Sequence, residues 1–299
     1  MKKKILLLAL PLAFVGALCG LSGTATSQTA DVVLIGAGDI ADAFNMRLAD
    51  AFATAALIDA YPSATVFADG DLPHSDGTDA DYTKGYDPTW GRFRARTIPV
   101  AGNHEYAVQN AVGYYNYWGP TAGNPTQGWY SLDLGAWHIV VLNSNCGFVG
   151  CAAGGNQETW LRNDLAAHTQ ACTLALIHEP LYTSSTIVSP NTDVRPLWQD
   201  LYNSNVDLVV NGHAHNYERF APQDANGTPD QARGIIEIIS GTGGASHFPF
   251  DSTMAPNSLI GNATTFGALK LTLHPSSFDW EFLPVAGQTF TDSGTQACH

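Results

Sequence analysis

The chain has 299 residues, 45% of them hydrophobic, with 13 basic and 27 acidic side chains and a formal net charge of −14. That is enough apolar material for a large buried core. A chain this acidic lacks the electrostatic footprint of a nucleic-acid or anionic-membrane binder.

Lys2, Lys3 and Lys4 precede an apolar stretch from Ile5 to about Leu18, and small residues follow as far as Ala30. This is the pattern of a secretory signal peptide, and the stretch is too short and too soon interrupted for a membrane span. The bulky Leu18 argues against a lipid anchor on Cys19. Residues 1–30 are therefore read as a leader cleaved between Ala25 and Ala30. Residues 31–299 are read as a single domain, secreted or periplasmic, with no stable membrane anchor. Without the three lysines, ten basic side chains stand against 27 acidic ones, a net charge near −17.

Beyond the leader, strand-like and helical patterns alternate. Residues 32–35 read as a buried strand ending at Gly38-Asp39. Residues 41–60 follow, with Phe44, Leu48, Phe52, Ala56 and Leu57 at helical spacing before Tyr61-Pro62. A second strand, 64–67, leads to Gly70-Asp71, and the long polar stretch from Pro73 to Arg96 is expected to roof the site. A third strand, 97–100, leads to Gly102-Asn103-His104-Glu105. Cys146, Cys151, Cys172 and Cys298 form an even set in an exported chain, which favours disulfides. Cys146 and Cys151 flank a short glycine-containing loop, and elimination pairs Cys172 with Cys298. Residues 157–168 carry Trp160, Leu161 and Leu165 at helical spacing; strand 173–177 then ends at His178. Helix 194–202 and strand 206–210 lead to Gly212-His213-Ala214-His215. After that only strands are expected, at 234–239, 268–273, 278–282 and 289–291.

Five strand ends thus deliver metal-binding side chains: Asp39, Asp71, Asn103, His178, and His213 with His215. In open α/β sheets ligands bind beyond the carboxyl ends of the strands, so the five loops converge on one place. Singly each has an ordinary reading, as a turn, a helix cap or a buried imidazole. Jointly they point to a metal centre. Imidazole and carboxylate donors without thiolates suit zinc, iron or manganese, and two such ions held close together can clamp an in-line phosphoryl displacement.

Together these blocks resemble the five-block signature of the calcineurin-like metallophosphoesterases. The phrases Tyr86-Asp87-Pro88-Thr89-Trp90-Gly91, Ala101 through Tyr106 and Asn211 through Arg219 resemble the purple acid phosphatases and their exported bacterial relatives. The resemblance covers nearly all of the chain after the leader. It implies an α/β fold, a four-layer α/β/β/α sandwich, with two metal ions drawn from zinc, iron and manganese. It further implies hydrolysis of the phosphate monoester of a small molecule by a metal-bound hydroxide. In that scheme Asp71 bridges the ions, Asn103, His178 and His213 complete one shell, and Asp39 and His215 bind the other ion. His104 is the implied catalytic residue, contacting the phosphate and stabilising charge or protonating the leaving oxygen.

Three departures matter. The purple acid phosphatase pattern has a Tyr three residues after the bridging Asp, and its pairing with ferric iron gives colour. Here that position is His74, which we expect to act as a ligand in a colourless protein. Related phosphatases have a His two residues after the first Asp; here Ala41 stands there, and His74 is the imidazole available to replace it. Glu179 occupies a position where relatives often carry a second His, and either repels phosphate or orients a water.

Other readings are weaker. Gly36 to Ala41 imitates a dinucleotide-binding turn, but Asp39 would face the pyrophosphate. A phosphodiesterase or nucleotidase of the same fold is the principal alternative. An inactive metal-binding module requires a lost ligand, and all six main positions are filled. Segment 241–247 is a further candidate to line the site, whereas its His247 reads as a surface residue.

Overall fold

The computed structural model describes residues 30–42 and 48–299, together with Met1. The expected leader, and Phe44 of the first predicted helix, lie outside the described residues.

Two sheets form the centre. In the first, β1 (Val32–Ala37), β2 (Thr65–Asp69) and β3 (Thr97–Val100) are parallel neighbours. On the other side of β1, β11 (Gly267–His274), β12 (Ser277–Pro284) and β13 (Ser293–Ala297) extend it as antiparallel strands. The second sheet contains β4 (Tyr130–Leu134), β5 (Trp137–Leu142), β6 (Cys172–Ile177), β7 (Leu208–Asn211), β8 (Tyr217–Phe220), β9 (Ile236–Ser240) and β10 (Ser258–Asn262). Its order is β10-β8-β9-β7-β6-β5-β4, with β5, β6, β7 and β9 mutually parallel.

The strands are apolar on both faces because both faces are covered. Leu34, Phe67 and Leu271 from the first sheet meet Ile139, Leu174, Leu176 and Val210 from the second in a shared core. On the outside of the first sheet, Ile35, Val66 and Ala68 pack against α1 (Ala49–Asp59), Tyr82, Tyr86 and Trp90, and α2 (Val112–Trp118). On the outside of the second, Val140, Ala175 and Val209 meet Leu161 of α3 (Asn156–Ala167) and Leu197, Trp198 and Leu201 of α4 (Arg195–Asn203). The result is the α/β/β/α sandwich implied by the resemblance. Both expected disulfides are present, and Cys172–Cys298 links the start of β6 to the end of β13, one sheet to the other.

Several expectations need correction. The buried stripe of α1 is Ala51, Thr54, Ala55 and Ile58, whereas Phe52 is exposed. Small residues win that face because the helix sits directly on the 241–247 loop: Thr54 Oγ1 donates to the Gly243 carbonyl at 2.6 Å, and a Cβ on Gly244 would lie 2.6 Å from the Ala51 nitrogen. The stretch from Pro73 to Arg96 reaches the site at His74 and Ser75, but the rest of it does not form the expected roof. It folds into short helical turns that bury Tyr82, Tyr86 and Trp90 against the outside of the first sheet. Residues 289–291 form no strand. Phe290 instead plugs the rim against Tyr217 and Phe282, and β13 begins at Ser293. The β4–β5 hairpin, β8 and β10 were not foreseen.

Candidate metal centre

All five blocks lie just beyond the carboxyl ends of β1, β2, β3, β6 and β7, where the parallel strands end together. Their turns are sharp. Asp39, Asp71 and His213 have φ of 58°, 52° and 65°, three of the seven left-handed non-glycine residues among the described ones. Such backbone is uncommon outside glycine, and it gathers where side chains must be aimed. Two glycines are there for close approach: a Cβ on Gly70 would lie 2.2 Å from His178 Nδ1, and one on Gly102 would lie 2.2 Å from Asp71 Oδ1.

Glu105 belongs to a ligand-bearing block but turns away from the other donors. Its buried carboxylate accepts the amides of Asp71 at 2.9 Å, Leu72 at 2.9 Å and Gly102 at 2.7 Å, tying two loops together. Burial, then the charge of Asp71, pushes its pKa up to about 7.

The donors gather in two groups, joined by a third made of Asp71, His74 and His104. Donor atoms of Asp71, His178 and His213 lie within 4.8 Å of one another, as do those of Asp39, His74 and His215. Asp71 Oδ2 is 3.2 Å from His178 Nε2 and 3.8 Å from His104 Nε2, and Asn103 Oδ1 is 3.2 Å from His178 Nε2. His215 Nε2 is 3.2 Å from Asp39 Oδ1. The His74 ring stands between His104 and His215, with centroids 4.1 and 4.5 Å away.

Backbone carbonyls set the imidazole orientations, a feature the sequence does not advertise. His178 Nδ1 donates to Asp69 at 2.7 Å, His215 Nδ1 to Ser246 at 2.6 Å, and His104 Nδ1 to Ser75, leaving each Nε2 free to face inward. Outer-shell partners of this kind orient metal-bound imidazoles. Segment 241–247 backs the site in this way rather than lining it, and His247 stacks on Phe266 with its Nδ1 3.3 Å from the His215 carbonyl.

Electrostatics match the geometry. Burial would raise Asp71 and Asp39, but His178 beside the first and His215 beside the second outweigh it and hold both carboxyls below the ordinary range. Burial, followed by a neighbouring imidazole, pushes His74 and His213 down to about 4, so both rings keep a free lone pair at neutral pH. The fully buried Asp39 carboxylate has His215 Nε2, 3.2 Å from Oδ1, as its one close polar neighbour, and its other oxygen has no hydrogen bond. A buried carboxylate surrounded by imidazole nitrogens and poor in other hydrogen-bond partners is the environment a cation satisfies, so the donor set fits a metal site.

Beside Asn103 opens a cavity of about 490 Å³, lined among others by Asn145, Phe148, Glu179, Asn191 and Asp193. Glu179 forms part of its wall, with Oε2 accepting from Asn191 at 3.0 Å, and burial raises its pKa. The lining contains no cationic side chain.

The chain is similar to known proteins in sequence and fold. A family model described as calcineurin-like phosphoesterase matches residues 25–217. Purple acid phosphatase 1 of Ipomoea batatas is 29% identical over 171 residues, covering 50% of this chain and 35% of that protein. An Arabidopsis thaliana protein named "probable inactive purple acid phosphatase 1" is 28% identical over 239 residues, 65% of this chain and 38% of that one. The chain thus spans well under half the length of these relatives. Purple acid phosphatase PPD1 from yellow lupin seeds shares the fold, with a TM-score of 0.73 at 23% identity over 90% of this chain and 54% of that chain. The family match takes in every strand-end block from Asp39 to His215, and the chain belongs to the calcineurin-like phosphoesterase family.

Proposed function

We propose that residues 31–299 form a single catalytic domain that hydrolyses phosphate monoesters of small molecules with the help of two metal ions. The observation that carries this reading is the pair of buried donor groups, Asp39 with His74 and His215 facing Asp71 with His178 and His213. Asp71, Asn103, His178 and His213 would hold one ion, and Asp39, His74 and His215 the other, with Asp71 between them. Zinc, iron(II) and manganese suit these donors. When bound, the ions supply neutralising charge for the phosphate and lower the pKa of water.

The chain's own residues do the rest. His104 is partly exposed, and its Nδ1 is committed to Ser75, so its Nε2 is free to touch a phosphate oxygen or to pass a proton to the leaving oxygen. The neighbouring cavity is of a size that suits a small alcohol. Its carboxylates, Glu179 and Asp193, disfavour a leaving group that bears a second phosphate and favour a hydroxylated or cationic one. All six main donor positions are filled, with His74 beside them where Ala41 departs from the pattern, which supports activity although several relatives are named probable inactive. Two disulfides support export from the cytoplasm.

The test compares a chromogenic phosphate monoester with its diester, using purified mature protein before and after chelation. Monoester turnover that is lost on chelation and restored by zinc, iron(II) or manganese is expected. A diester preference would favour the phosphodiesterase alternative, and absence of turnover by metal-loaded protein would overturn the enzymatic reading.

A further inference from the structure

The cavity beside Asn103 has a wall whose hydrogen-bonding character is one-sided. Both NH₂ protons of Asn145 are spent inside the protein, on the Gly102 carbonyl at 3.1 Å and on Asn143 Oδ1 at 2.9 Å. Asn191 is spent as well. Its NH₂ group donates to the Ser144 carbonyl at 3.1 Å and to Glu179 Oε2 at 3.0 Å, and its Oδ1 accepts the Asp193 amide at 3.0 Å. What these amides leave for a bound alcohol are acceptors, the half-buried carboxylate of Glu179 and the exposed one of Asp193. A polyhydroxylated group needs donors as well as acceptors from its surroundings, whereas an ammonium group needs acceptors or an aromatic face.

An aromatic face is present. Phe148 is 66% exposed and belongs to the cavity wall. It sits in the short loop that Cys146–Cys151 closes, and its ring meets Tyr106 with centroids 5.1 Å apart. Tyr106 is itself held by Asn143 Nδ2 at 2.7 Å, so the ring is anchored from both sides. A cation within about 6 Å of such a ring is drawn to its face. No cationic side chain in the wall competes for these groups. Glu179 would repel a phosphate standing alone, but a positive charge on the alcohol half of the ester turns the same carboxylate into an attraction.

We infer that this cavity selects phosphate monoesters of amino alcohols, its Glu179, Asp193 and Phe148 holding the ammonium group while the phosphate lies at the metal centre; the inference rests on the hydrolytic reading above. Hydrolysis of such an ester breaks the phosphorus–oxygen bond to the amino alcohol and forms one to the oxygen of water. The leaving oxygen takes a proton, and inorganic phosphate and the free amino alcohol depart with the ammonium group unchanged.

The experiment measures kcat/KM of metal-loaded mature protein for phosphocholine and for glycerol 3-phosphate. Phosphocholine is expected to be favoured about tenfold, the effect of one well-placed ion pair in a partly screened site. Glu179→Gln, Asp193→Asn and Phe148→Leu are each expected to lower that ratio, and a general loss of activity cancels from it. A wild-type ratio near or below one, or a ratio that none of the three variants lowers, would overturn the inference. If neither ester is turned over, the hydrolytic reading fails, and calorimetric titration of the metal-loaded protein with the same two esters decides the inference. Tighter binding of phosphocholine would then uphold the selectivity, and equal or weaker binding would overturn it.

Discussion

Glu105 contributes no donor to the candidate centre, yet three amides from two ligand loops end on its carboxylate. Replacing it with Gln leaves one acceptor oxygen for three donors and turns an NH₂ group toward them. Outer-shell losses of this kind typically cost about 10–100-fold in metal affinity. Glu105→Gln is therefore expected to weaken metal binding by about that factor, and turnover at limiting metal falls with it. A metal titration of the folded variant checks this, and wild-type affinity would contradict the strap. The donors themselves were readable in the sequence because each block needs particular side chains straight after a strand. Glu105 was readable only as a member of its block, since nothing in a linear pattern says which way a carboxylate turns. The carbonyls of Asp69, Ser75 and Ser246 that orient three imidazoles carry no side-chain signal at all.

Between elements, Asp292 joins β8 of one sheet to β12 of the other. Its carboxylate accepts from Arg219 Nε at 2.6 Å, Tyr217 at 2.7 Å and Trp280 Nε1 at 3.0 Å. Burial would raise this carboxyl, but Arg219 and Tyr217 outweigh it and hold it below its ordinary value of 3.8. A lowered folded-state pKa adds stability that is present above the unfolded value and is lost as pH falls through the folded one. Asp292→Asn is expected to cost about 3 kcal/mol near neutral pH, because it strands a largely buried guanidinium. The gap between variant and wild type should narrow as pH falls below 3.8, as followed by denaturant unfolding. A gap that does not change with pH would mean that the charge is not what matters. Element patterns were legible where strands lay buried on both faces or where α3 and α4 showed clean stripes. The face of α1 was not, because tight contact with a glycine loop selected Ala51 and Thr54 over Phe52. Tyr82, Tyr86 and Trp90 recur at four-residue spacing, a helical stripe hidden among glycines and acids that made the stretch read as a loop.

Across the whole molecule, two sheets share one core, and their ends are fastened by Cys172–Cys298 over 126 residues of chain. Removing both cysteines is expected to lower stability by about 2–5 kcal/mol, chiefly by freeing the unfolded chain. Chemical denaturation of the double Cys→Ala variant measures this, and unchanged stability would show that the sheets need no such fastening. The sandwich was legible from family likeness and from the alternation of strands and helices, whereas the later strands, whose pairing is antiparallel and nonlocal, were placed only in part. The central claim is that five strand ends hold two ions around Asp71. Anomalous X-ray scattering from crystals of catalytically active protein tests it most directly. Two peaks are predicted on either side of the Asp71 carboxylate, one among Asn103, His178 and His213 and the other among Asp39, His74 and His215. A single peak there, or none, in active protein would contradict the account.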